Sequence, residues 1–137
     1  NLEPGDLLIT NSGTIGRMAI AKNDSKTFRT TFQKSVAILK IKPGIIESEL
    51  LMRIIQNDLD SLTKKSEGTA QKNLLLRDIR THPISFPKSR ITQRDLLEQL
   101  FSFENQITNL LNNYQKKLEK LQELKQSILH KAFNGDL

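Results

Sequence analysis

The 137-residue chain has no cysteine and no tryptophan, only four prolines and six glycines, and 5% aromatic residues. Without cysteine there is no disulfide framework, zinc ribbon or thiol nucleophile, a composition suited to a reducing compartment. The scarcity of aromatics disfavours a binder of single-stranded nucleic acid, which stacks bases on aromatic platforms. No apolar run approaches the roughly eighteen residues of a membrane span, and the opening "NLEPGDLLIT" lacks the basic start and apolar core of a secretory signal. These absences predict a soluble, cytoplasmic protein with no membrane partner.

Catalytic patterns are equally scarce. There is no Gly-Lys-Ser phosphate loop, no Gly-x-Gly-x-x-Gly and no nucleophile elbow. Metal-dependent nuclease chemistry needs paired carboxylates and a lysine on adjoining strands. The only compact Glu-x-Lys, Glu123 and Lys125, lies instead in a long helical pattern, where a solvated pair is the natural reading. His82 precedes a proline and His130 rides the terminal helix, and neither sits in a sequence cluster of ligands. The expectation is no catalytic residue, no metal site and no enzyme.

What is present begins with charge. The net charge is +6, and residues 1–92 hold all of the excess, with fifteen Lys/Arg against nine Asp/Glu, whereas residues 93–137 carry six of each. A basic globular part joined to a neutral Leu-rich segment predicts a polyanion partner for the first and a protein partner for the second, although +6 is also an ordinary solubility charge.

From Asp6 to Ile41 the apolar residues come in short bursts, "LLIT", "MAIA" and "VAILKI", separated by turn-forming stretches, which predicts strands and hairpins. Leu50, Leu51, Ile54, Ile55, Leu59 and Leu62 share one helical face, predicting a helix over Glu47–Leu62 that packs on the strands. "TKKSEGTAQKN" reads as a surface loop, and Pro83 and Pro87 confine any later strand to the short "ISF". The fold class is therefore α+β.

The clearest element comes last. Leu96, Leu100, Phe103, Ile107, Leu110 or Leu111, Tyr114, Leu118, Leu121, Leu124, Ile128 and Ala132 follow one another at steps of three or four residues, uninterrupted by proline or glycine. A helix from about Asp95 to Phe133 is roughly 58 Å long, against roughly 37 Å across a compact chain of this size, so it is expected to protrude. Its stripe, carried by Leu100, Phe103, Ile107, Leu111, Tyr114, Leu118, Leu121, Leu124 and Ile128, then needs a partner surface in coiled-coil style. The register drifts in mid-helix, which suits antiparallel pairing or a bundle better than a regular two-stranded zipper. The division expected is 1–92 for the basic globular part and 93–137 for the helix.

Candidate contacts to nucleic acid cluster in the turns. They are Arg17, Lys22, Arg29 and Lys34 around the first hairpins, with Lys26 and Gln33, then Lys64, Lys65, Thr69, Gln71, Lys72 and Asn73. Cations hold phosphate, while Gln, Asn and Arg can read base edges of duplex DNA; taken singly, any of them also reads as a solvated surface residue. Gly13 and Gly16 form a Gly-x-x-Gly, but they lie between strands, so a tight hairpin with Arg17 at its edge is expected in place of a KH clamp.

Four stretches together resemble the DNA specificity (S) subunit of type I restriction-modification systems, specifically a partial target recognition domain followed by the family's conserved helix. They are "PGDLLITNSGTIGRMAIA", "SEGTAQKNLLLRDIRTHPISFP", "QRDLLEQLFSFENQI" and "LQELKQSILHKAFNGDL", in order along nearly the whole chain. The resemblance implies a subunit with two recognition domains, each reading half of a split site, separated by two long helices that pair antiparallel and set the spacing. It also implies docking of methyltransferase subunits on those helices, and through them the restriction subunit. The subunit itself would then be non-catalytic and carry no cofactor, with S-adenosylmethionine, ATP and Mg belonging to its partners. One recognition domain and one helix are present, and the start at Asn1 on a strand approach predicts that an upstream part of the domain is missing. Two copies would then pair their helices to restore a two-fold arrangement. The rival expectation is a coiled-coil assembly or adaptor protein with an incidentally basic domain.

Overall fold

The computed structural model describes residues 2–24, 27, 33–64 and 74–135. Three strands, β1 (Leu7–Thr10), β2 (Met18–Ile20) and β3 (Val36–Leu39), form an antiparallel sheet of order β2-β1-β3. They coincide with the three apolar bursts. In β1 the pleat turns Leu7 and Ile9 wholly inward, and both are 0% exposed. The register sets Leu8 opposite Ala19 on one side and Ile38 on the other.

Helices α1 (Ser48–Asn57) and α2 (Leu59–Lys64) cover the sheet and complete its core with Leu51, Ile55 and Leu62, joined by Leu74 from the chain just ahead of α3 (Leu76–Thr81). A continuous helix over Glu47–Leu62 is expected from periodicity, but the structure breaks it at Asp58, whose φ/ψ of −92°/2° leave the helical region. At the break, Asp58 Oδ2 lies 2.8 Å from His82 Nε2. The "ISF" segment forms no strand and joins no sheet among the described residues, where Pro83 and Pro87 flank too short a ladder.

Helix α4 spans Arg90–Asn134, five residues earlier in onset than its apolar stripe suggests. Ser89 begins it, with its carbonyl accepting the Gln93 N–H at 3.0 Å, and Gly135 ends it at φ +76°. The chain forms two compact units, Asn1–Leu97 and Glu98–Leu137. The second is helical throughout its described length as far as Asn134. The α+β class expected from the sequence is the class observed.

Candidate nucleic-acid interface

The strand register gathers two connections at one end of the sheet. Ile9 pairs with Met18 and Thr10 with Val36, so the β1–β2 turn (residues 11–17) and the residues entering β3 lie side by side. Thr10 organises the turn. Its N–H donates to the Arg17 carbonyl at 2.9 Å, the Arg17 N–H donates back to Thr10 Oγ1 at 3.0 Å, and the Thr10 hydroxyl donates to the Thr14 carbonyl. Gly16 sits at φ +83°, and a β-carbon there would collide with the Leu59 side chain, so only glycine lets the turn close onto α2. The Arg17 side chain is left exposed beside this rigid turn.

Asn11 ties the neighbouring pieces to the same end. Its N–H donates to the Ser35 carbonyl and its own carbonyl accepts the Leu74 N–H, both at 2.8 Å. Exposed Lys34 thereby stands at the end that holds Arg17, and Leu74, where the chain returns from residues 65–73, docks there too. Lys64, also exposed, closes α2 as the chain departs. Lys22 follows β2 at the opposite end of the sheet, near the Ala21 N–H to Asp6 carbonyl bond of 2.9 Å. Arg29, Lys65, Thr69, Gln71, Lys72 and Asn73, with Lys26, lie outside the described residues.

Electrostatics separates these cations from the structural ones. Arg17, Lys22, Lys34 and Lys64 form no ion pair among the described residues, whereas Lys40 holds Asp6 at 2.7 Å and Glu3 at 3.0 Å. The hydrogen bond to Asp6 holds the Lys40 ammonium above the usual lysine range. Asp6 itself is buried and accepts the Glu3 N–H at 2.7 Å, so its carboxylate staples the start of β1 to Lys40 at the end of β3.

No group of three His, Asp or Glu able to hold a metal occurs among the described residues. The apolar cleft of about 650 Å³ beside β3 includes Ile38, Ile41, Ile84 and Phe86, and its Lys40 and His82 are already engaged by carboxylates. The arrangement offers exposed donors and positive charge at one end of the sheet.

The model of the type I restriction modification DNA specificity domain matches residues 1–120. The chain belongs to that family. The specificity domain is also 30% identical to the type I restriction enzyme EcoBI specificity subunit of Escherichia coli, over 96% of the chain and 27% of that protein. It thus spans about a quarter of the length of this curated relative. No solved structure matches it.

Two further sets of residues matter in this specificity domain. Along α4, Phe103, Ile107, Leu111, Tyr114, Leu118, Leu121, Leu124 and Ile128 are all exposed, and Leu100 partly so. Among the described residues no helix is long and apolar enough to cross a membrane, so the stripe is not a span. Gln93, which sequence reasoning passed over, is 0% exposed. Its amide donates to the Ile45 carbonyl at 2.9 Å and the Pro87 carbonyl at 2.7 Å, and it accepts the Glu47 N–H at 2.9 Å. Glu47 in turn receives Arg90 at 2.6 Å and Arg94 at 3.2 Å, and the hydrogen bond from Arg90 holds its carboxyl below the usual carboxylate range. The only available signal was a polar residue at the start of a strongly helical run, which by itself reads as solvent-facing.

Proposed function

We propose that the chain is the DNA-reading part of a type I restriction-modification specificity subunit, recognising one half of a bipartite duplex site without catalysing any reaction. Residues 1–92 carry the reading surface, and residues 93–137 set spacing, dock methyltransferase subunits and pair with a second helix. The carrying observation is the end of the sheet where Arg17 and Lys34, both exposed and free of ion pairs among the described residues, stand beside the Asn11–Leu74 hydrogen bond. Membership of the specificity-domain family supports the same reading. Cations here would grip phosphate, and Gln71 and Asn73 would read base edges.

The test is selection of duplexes from a randomised pool by the purified chain, followed by affinity against salt. A recovered sequence motif, with log affinity falling against log salt at about −0.9 per phosphate contact, is the expected result. The exposed stripe of α4 favours one rival, a pure assembly protein, which predicts no preference among duplexes at any salt. Turnover of DNA by the chain alone would overturn the non-catalytic reading.

A further inference from the structure

The 11–17 turn is shaped from within by hydrogen bonds that run along the hairpin. The Gly16 N–H donates to the Thr10 carbonyl at 2.9 Å, beside the two bonds that join Thr10 to Arg17. Asn11 ties the root of the turn to Ser35 and Leu74. Ladder bonds lie in the plane of the sheet, so they fix the outline of a hairpin and leave its tilt out of that plane to whatever packs on its face.

Leu59 packs there. A β-carbon on Gly16 would collide with both methyl carbons of Leu59, so the bare backbone of the turn lies against this one side chain. By spacing, Leu59 belongs to the face of Leu51, Ile55 and Leu62, all of which are buried. Leu59 itself is only partly buried, packing at the edge of the core where it meets the turn. Its footing is held on both sides. Leu62, 1% exposed, anchors α2 in the core and donates its N–H to the Asp58 carbonyl at 3.0 Å, while the Asp58 carboxylate meets His82 at 2.8 Å.

We propose that Leu59 is a positioning residue for DNA reading, which sets the tilt of the 11–17 turn through Gly16 and so fixes where Arg17 meets the duplex, without touching DNA itself. The proposal rests on the reading that Arg17 contacts DNA, and adds the residue that stands behind that contact. Arg17 follows Gly16 directly, so a displacement of the Gly16 backbone passes to Arg17 through a single planar peptide. Recognition groups need support to within roughly 0.5 Å from the side chains packed behind them. A turn free to tilt must be ordered again at each binding event, which weakens the contact it carries.

Salt dependence separates this role from plain packing. Binding of the full chain to the duplexes it selects is followed by fluorescence anisotropy over a salt series, with circular dichroism confirming that each variant is folded. Arg17→Ala should lower the slope of log affinity against log salt by about 0.9. Leu59→Ala removes no charge, yet it should lower the slope by about the same amount, and adding Arg17→Ala should lower it no further. Leu59→Met, close in volume, should keep the wild-type slope. If Leu59→Ala does not fold, Leu59→Val, a smaller truncation, carries the same comparison. A truncated variant that binds more weakly with an unchanged slope would show packing alone and overturn the proposal.

The contact is also testable from the turn. Gly16→Ala should flatten the salt dependence, and combining it with Leu59→Ala, which makes room for the new methyl group, should steepen it again. The left-handed φ at residue 16 strains alanine in both backgrounds and so cancels from this comparison. No recovery in the double variant would overturn the Gly16–Leu59 contact as the route. Absence of duplex binding, or an unchanged slope for Arg17→Ala itself, would instead overturn the reading on which the proposal rests.

Discussion

Gln93 and Glu47, 46 residues apart, are joined by a hydrogen bond of 2.9 Å from the Glu47 N–H to Gln93 Oε1. The same turn of α4 supplies Arg90 to the Glu47 carboxylate. The start of the long helix is thereby bound to the N-terminus of α1 through one fully buried amide, which also occupies the Ile45 and Pro87 carbonyls.

Gln93→Leu keeps the volume but leaves two carbonyls and one N–H without partners. Unsatisfied polar groups cost about 1–3 kcal/mol each when buried and less where water reaches them, so a loss of roughly 2–4 kcal/mol in urea unfolding is expected for the three together. A change below about 1 kcal/mol would show that the amide is dispensable.

Acid should loosen the same junction. The Glu47 carboxyl titrates below its ordinary value because Arg90 hydrogen-bonds to it, and Asp58 is lowered likewise, by His82 first. A folded-state value below the unfolded one contributes stability that is present above the unfolded value, roughly 4, and is lost as pH falls through the lowered one. The urea midpoint should therefore fall on acidification below about pH 4.5. Glu47→Gln should flatten that fall while lowering the midpoint at neutral pH, and a profile unchanged by the substitution would exclude Glu47 as a source.

Position in the sheet separates the candidate DNA contacts. Arg17→Ala and Lys34→Ala, at the shared end, should each reduce the salt slope of duplex binding by about 0.9. Lys22→Ala, at the opposite end, should leave it unchanged. Equal effects from all three, measured by fluorescence anisotropy, would count against a reading surface confined to one end.

Gln71→Ala should change which duplexes are selected more than how tightly they bind, since a side chain reading a base edge carries about 1–3 kcal/mol of discrimination. A uniform loss over all sequences would make Gln71 a positioning contact.

Much of this was legible in the residues. The apolar bursts marked all three strands, and the three- and four-residue steps marked α4 over nearly all its length, because both periodicities are properties of the local backbone. The interruption at Asp58, which His82 meets from 24 residues further on, was not legible, because local helical periodicity runs straight through it. Asp6 was noticed only within a motif; that it is a buried partner of Lys40 depends on β3 pairing beside β1.

The candidate site divides the same way. Composition and order along the chain determined by themselves a basic α+β part, a Leu-striped helix and the set of exposed-type cations, since charge and periodicity can be counted without coordinates. Only the tertiary structure decided that Arg17 and Lys34 share one end of the sheet while Lys22 occupies the other, and that Gln93 is core and not surface. Those outcomes depend on which strand pairs with which and in what register, and on contacts between residues tens of positions apart, whose energies exist only once the chain has folded.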